Sequence, residues 1–142
     1  MNTEFVIRPY NTGDESGVID LWQRCKLTRP QNNPKLDIER KLKVNPELFL
    51  VGLIEREIIA TAMGGYEGHR GWINYLAVDP HFQRNGLGRK MMDTIQSKLS
   101  TLGCPKINLQ VREDNLEAVN FYKAIGYAQE PVLSMGKRLV QD

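Results

Sequence analysis

Six consecutive residues, Gln83-Arg84-Asn85-Gly86-Leu87-Gly88, have the makings of a site for a phosphate-bearing ligand. A glycine-bearing loop that follows a strand and opens a helix leaves several backbone N–H groups unpaired at the positive end of the helix dipole, and such an end attracts anions. Gly86 and Gly88 carry no side chain to hold a phosphate away from the backbone, and Arg84 and Arg89 can add charge-assisted contacts. The spacing Gln-x-x-Gly-x-Gly is common by itself, since glycine makes up about 7% of an average chain. A plain glycine turn before a helix explains it equally well until its neighbours are considered. The chain has neither the G-x-x-x-x-G-K-S/T phosphate loop nor a G-x-G-x-x-G run after its first strand.

Other chemistries find little support. Cys25 and Cys104 lie 79 positions apart with no paired-cysteine or histidine spacing, so they read as reduced structural thiols and no metal is expected. Nineteen basic against seventeen acidic residues give a formal charge of +2, short of the excess that nucleic-acid binding needs. No apolar stretch approaches the roughly 20 residues that span a bilayer. Residues Met1 to Phe5 do not read as a secretory signal, and a cytoplasmic location is expected.

The elements that must position the loop follow from periodicity. Trp72 to Val78 reads as a strand that stops at Asp79-Pro80, directly before the loop. Behind it, Leu87, Met91, Met92, Ile95, Leu99 and Leu102 keep helical period, and Gly103 falls where a left-handed cap belongs. Upstream, Phe5-Val6-Ile7 predicts a short strand. Val18, Leu21, Trp22 and Cys25 predict a helix in which Trp22 is core rather than a ligand platform. Asn33-Pro34 predicts an N-cap and a second helix running to about Val44. Leu48 to Ile54 and Ile58 to Met63 predict a hairpin about Glu55-Arg56-Glu57, after which Gly64, Gly65, Gly68 and Gly71 punctuate the chain. Downstream come a strand at Ile107 to Val111, a helix opened by Asp114-Asn115 with Val119, Tyr122 and Ile125 on one face, and one more strand in the tail from Val132 to Val140. With no repeat, low-complexity tract or linker, residues 1–142 are expected to form a single domain.

Two of these segments together are more specific than either alone. The run from Leu76 to Gly88, followed by Asn115-Leu116-Glu117-Ala118-Val119-Asn120-Phe121-Tyr122-Lys123-Ala124-Ile125-Gly126-Tyr127, resembles the GNAT superfamily of N-acetyltransferases. Cys104 to Ile107 and Ser134 to Leu139 resemble its small bacterial YpeA-type branch.

The resemblance implies an α/β (α+β) fold: a mixed, mostly antiparallel twisted sheet splayed at a parallel strand pair and flanked by about four helices. It implies acetyl-CoA as donor and an amine as acceptor. Backbone groups near Leu76, Ala77 and Val78 would pair with the pantetheine arm, and amides from Gln83, Arg84, Asn85, Gly86, Leu87, Gly88 and Arg89 would hold the diphosphate. Asn115 would contact the cofactor, with an ordinary helix cap as its coexisting role. Tyr122 would protonate the departing thiolate. Members of the superfamily often dimerise, so a homodimer is compatible with the resemblance. A non-catalytic acyl-CoA-binding sensor acting through a protein partner is the competing reading.

Many relatives carry a glutamate on the strand before the loop, where this chain has Asn74 and Tyr75. Glu67 and His69 are nearby candidates, but the general base is left unassigned. An unassisted lysine-like amine costs about 4.6 kcal/mol to deprotonate at pH 7 and an α-amine only about 1 kcal/mol, which favours an acceptor with a low amine pKa. Arg29, Asp37, Glu39 and Arg40 lie in the segment that forms the acceptor side in the superfamily, with a solvated helix face as their alternative role.

Overall fold

The computed structural model describes residues 4–142; Met1 to Thr3, part of the stretch read as lacking a secretory signal, lie outside them. The chain divides into two compact units, Met1–Leu109 and Gln110–Asp142.

The first unit holds a five-stranded sheet in chain order: β1 (Val6–Pro9), β2 (Phe49–Ile54), β3 (Glu57–Tyr66), β4 (Gly71–Val78) and β5 (Ile107–Leu109). Three pairings are antiparallel, and β4 with β5 is parallel. The helices of this unit are α1 (Glu15–Arg24), α2 (Pro34–Lys41) and α3 (Leu87–Thr101). The mixed sheet with one parallel pair agrees with the expected fold class.

Local chemistry accounts for the boundaries. α1 buries Val18, Leu21 and Trp22, the apolar stripe seen in the sequence. Asn33 caps α2 by accepting from the Leu36 amide at 3.3 Å, with Pro34 in the first turn. This helix ends at Lys41 rather than near Val44, which is 60% exposed and has no core position to fill. In the β2–β3 hairpin Ile54 pairs with Glu57, so Glu55 and Arg56 alone make the turn, both at positive φ (50° and 68°) as a tight hairpin of matching twist demands. Met91, Met92, Ile95 and Leu99 of α3 are fully buried, and Gly103 follows at φ 88°.

Two expectations for this unit need correction. Gly64 and Gly65 do not break the chain but lie within β3, which runs on to Tyr66. A Cβ on Gly64 would stand 2.8 Å from the Ile95 side chain, so this glycine lets α3 press onto the sheet. The strand expected to reach Val111 stops at Leu109 after three residues.

The second unit is built on α4 (Leu116–Ala124), capped by the Asn115 side chain accepting from Ala118 N at 3.2 Å. Gly126 follows at φ 102°, and Tyr127 N donates to Tyr122 O at 2.9 Å to close the helix end. The expected tail strand is not formed: residues 132–140 carry no strand, and Leu133, Met135 and Leu139 are about nine-tenths exposed. Neighbouring positions of this segment are exposed alike, without the in–out alternation that burying one face of a strand requires.

Candidate active site

The site of the first unit begins at an irregularity in β4. Asn74 faces Met63 and Ala77 faces Thr61, so Tyr75 and Leu76 together oppose the single residue Ala62. This is a β-bulge, and it puts Tyr75 at φ 52°, a left-handed conformation unfavourable for a bulky residue. The surroundings hold it there. The Tyr75 ring stacks on Trp22 with centroids 3.8 Å apart, its carbonyl accepts from Thr61 Oγ1 at 2.8 Å, and Thr61 Oγ1 in turn accepts from Trp22 Nε1 at 2.9 Å. The Tyr75 hydroxyl donates to Asp37 Oδ2 on α2 at 2.6 Å. Burial, followed by the bond to Asp37 and its charge, holds the Tyr75 phenol well above its ordinary pKa.

Beyond the bulge the edge of β4 that faces away from β3 has no strand partner among the described residues. Pairing with β5 covers only Gly71, Trp72 and Ile73, so Leu76, Ala77 and Val78 continue past the end of that ladder. Ala77 is buried, whereas Leu76 and Val78 are half-buried.

The chain then turns into the glycine loop through a set of ties to its own backbone and to α1. Asp79, almost fully buried, accepts from Arg24 Nη2 at 2.9 Å and from Arg24 Nε at 3.1 Å through one oxygen. Its other oxygen caps a 3-10 turn, Pro80–Phe82, by accepting from His81 N at 2.9 Å. The Val78 carbonyl accepts from Gln83 Nε2 at 2.9 Å and from Cys25 Sγ at 3.3 Å, and Asn85 Nδ2 donates to Phe82 O at 3.1 Å. Arg84 and Gly86 both have positive φ (66° and 76°).

Gly86 is the N-cap of α3 and offers no side-chain acceptor to the first amides of the helix, so these point out at its positive end. Nothing lies within 4 Å of where a Gly86 Cβ would sit. Gln83 to Gly86 and Arg89 are exposed, Gly88 is half-buried, and Leu87 turns into the core. Along the chain, the end of β4 at Leu76 to Val78 thus leads through the 3-10 turn into the exposed loop Gln83 to Gly86 and the start of α3.

Glu67 and His69 stand elsewhere. Tyr66 pairs with Gly71, so both residues lie in the β3–β4 turn, at the opposite end of β4 from the loop. The Glu67 carboxylate is occupied there by the backbone N–H groups of His69 (2.9 Å) and Arg70.

In the second unit Asn115 serves as the cap described above. Tyr122, the seventh residue of α4 and half-buried, packs edge-on against Phe121 (5.1 Å) and Tyr127 (5.7 Å). Burial, with a smaller effect of Tyr127, pushes the Tyr122 phenol up to about 12.

Sequence reasoning missed two pairings, Asp37 with Tyr75 and Arg24 with Asp79. The first spans 38 positions and left no local signal. The second left half of one, since an aspartate before proline is a recognisable cap of a short helical turn. Among the described residues no three His, Cys, Asp or Glu side chains gather as a metal ion would require, and no helix is long and apolar enough to cross a membrane.

The mixed sheet with its parallel β4–β5 pair, and a glycine loop that opens α3, define the fold class, and the chain matches the Acetyltransferase (GNAT) family over residues 16–127. This protein belongs to that family and is an acetyltransferase. It is 45% identical over 136 residues to an acetyltransferase of Pectobacterium atrosepticum, with 96% of each chain covered. Its fold is similar to that of an aminoglycoside N-acetyltransferase solved in complex with CoA (TM-score 0.78, 14% identity, 99% of this chain and 98% of that one). It is also similar to that of the ribosomal-protein alanine N-acetyltransferase from Escherichia coli (TM-score 0.73, 22% identity, 87% and 77% covered).

Proposed function

We propose that this acetyltransferase moves the acetyl group of acetyl-CoA to a primary amine of a small molecule or a peptide N-terminus, with residues 1–142 working as a single N-acetyltransferase domain in the cytoplasm. The observation that carries the donor half is the edge of β4. From Leu76 to Val78 the side of β4 turned away from β3 has no strand partner among the described residues, and its outward backbone groups can serve an extended ligand as an edge strand serves a peptide. The pantetheine arm, with its two amides, suits that edge at Leu76, Ala77 and Val78. The diphosphate suits the loop that follows, where the amides of Gln83 to Arg89 and the charges of Arg84 and Arg89 provide for an anion. Asn115 is assigned to the same ligand, its amide nitrogen remaining available while its oxygen caps α4. The family match runs across the division at Leu109, which supports one working domain from both units.

In the reaction the neutral amine nitrogen attacks the thioester carbonyl carbon and forms the C–N bond. The C–S bond then breaks, the nitrogen gives up a proton, and the departing thiolate gains one. Tyr122 is assigned to the thiolate. With its pKa near 12, complete transfer to a thiolate whose conjugate acid titrates near 8.5 would run uphill by roughly 5 kcal/mol. Tyr122 therefore stabilises the thiolate by donating a hydrogen bond, and solvent supplies the proton that finally stays. The acceptor class is supported by two fold relatives whose acceptors, an alanine of a ribosomal protein and an aminoglycoside, present amines.

Titration calorimetry with acetyl-CoA tests the cradle. Gly86→Ala meets no protein atom within 4 Å, so the substitution itself costs only about 1 kcal/mol of backbone strain. It should nonetheless lower acetyl-CoA affinity about tenfold by crowding the diphosphate. Unchanged affinity in a folded variant would refute the assignment.

A further inference from the structure

We propose that Asp37 is an acceptor-binding residue: its carboxylate, set against the β4 bulge by Tyr75, receives a second, non-reacting positive charge of the substrate, so that the preferred acceptor is a diamine-type cation. This rests on the acetyl-transfer reading above and names the substrate class for it.

Asp37 is not the solvated helix-face residue that its position in a short polar helix suggests. Its Oδ2 accepts from the Tyr75 hydroxyl at 2.6 Å, and the side chain is only a quarter exposed. Tyr75 is itself immobile, stacked on the fully buried Trp22 and held through its backbone by Thr61. The carboxylate is thus fixed one tyrosine side chain away from the strand whose next residues, Leu76 to Val78, are assigned to the donor. Here the strand supplies a phenol, and the carboxylate arrives from α2.

The remaining capacity of Asp37 faces a cation. A carboxylate accepts about four hydrogen bonds, and the phenol uses one. Arg40 Nη1 forms a long ion pair with Oδ1 at 3.8 Å, half-exposed and beyond hydrogen-bond distance, so it leaves the lone pairs of that oxygen open to a closer cation. Lys41, the other basic residue at this end of α2, is turned away to the Gly64 carbonyl. Because the Tyr75 proton is held tightly, the phenol stays the donor in its bond to Asp37.

That charge does not suit the reacting nitrogen itself. An anion beside an ammonium favours its protonated form, which cannot attack a thioester. Beside a second cationic group it anchors the substrate without that penalty. Two ammonium groups in one small molecule also lower each other's pKa, which eases deprotonation of the reacting amine where no carboxylate base stands on β4.

The test uses the full-length protein loaded with CoA and calorimetric binding of 1,5-diaminopentane against n-pentylamine, two chains of equal length that differ in one charge. CoA binding is measured first, so that failure of the donor reading is seen separately; in that case the amine comparison is run on the free protein. The wild type should bind the diamine about tenfold more tightly, the value of one hydrogen-bonded charge contact. Asp37→Asn keeps an oxygen for the Tyr75 hydroxyl and loses only the charge. It should reduce the preference below about twofold with melting temperature and CoA affinity unchanged, and Asp37→Glu should recover part of it. A role confined to pinning α2 would leave the preference intact in Asp37→Asn. Equal binding of the two amines by the wild type, no binding of either at millimolar concentration, or an undiminished preference in Asp37→Asn would each overturn the proposal.

Discussion

At Tyr122 the direction of a single pKa shift separates two kinds of catalysis. A phenol near 12 is less than about a tenth ionised below pH 11, so it keeps its proton across the range in which an amine becomes neutral. If Tyr122 acts as a hydrogen-bond donor, kcat should rise with pH as the acceptor loses its proton and then stay level to about pH 10. Tyr122→Phe should lower kcat about tenfold to a hundredfold, with acetyl-CoA affinity nearly retained, when single-turnover rates are followed by free thiol. A falling alkaline limb between pH 8 and 10 that disappears in Tyr122→Phe would show instead that the phenol ionises early and acts by giving up its proton. Asp79 is the second residue whose contacts predict a measurable effect. Its carboxylate joins the end of α1 to the turn before the glycine loop, and only 5% of its side chain is exposed. Asp79→Ala leaves Arg24 unpaired and frees the His81 amide. It should cost about 2–4 kcal/mol in denaturant unfolding and weaken acetyl-CoA binding as well, whereas a residue serving stability alone would leave the donor affinity of the folded fraction unchanged.

At the scale of elements, one buried hydroxyl ties three of them together. Thr61 on β3 accepts from Trp22 of α1 and donates to the carbonyl of Tyr75 on β4, and both Thr61 and Trp22 are completely buried. Thr61→Val keeps the shape but leaves the indole N–H and the bulge carbonyl without partners. It should lower stability by about 2–4 kcal/mol, read as a reduced urea midpoint with an unchanged slope. These ties also explain which elements were legible in the sequence. α1 and α3 were plain because apolar side chains at helical spacing are both the signal and the cause of the packing. The position of the glycine loop between β4 and α3 was plain because a strand stopping at Asp79-Pro80 and an apolar helical stripe bracket it. Gly64 misled because a glycine needed for close packing against Ile95 has the same sequence appearance as one that turns the chain. The bulge at Tyr75 and Leu76 left no mark, since two residues facing one is a property of the partner strand as much as of β4. The hydrogen bond from Tyr75 to Asp37, 38 positions upstream on α2, was equally illegible, because only the folded sheet brings the two together.

For the whole molecule the open matter is how two compact units serve one reaction. The donor edge and loop belong to the first unit, Asn115 and Tyr122 to the second, and the family match includes all of them. If residues 1–142 work as one domain, unfolding followed by far-UV circular dichroism and by the fluorescence of Trp22 and Trp72, both in the first unit, should coincide in a single transition. Calorimetric and van't Hoff enthalpies should then agree. The ligand adds a sharper condition. A molecule that binds only the folded state at a hundred times its Kd stabilises it by about 2.7 kcal/mol, which for a chain of this size raises the melting temperature by roughly 5–15 °C. If Asn115 and Tyr122 act on the donor as proposed, acetyl-CoA should move the entire transition upward. It should also slow hydrogen exchange in α4 around Tyr122 as well as at the start of α3. A two-step melt in which acetyl-CoA shifts only the step reported by Trp22, with exchange in α4 unaltered, would mean that the first unit binds the donor alone, and Tyr122 would then lose its place in the reaction.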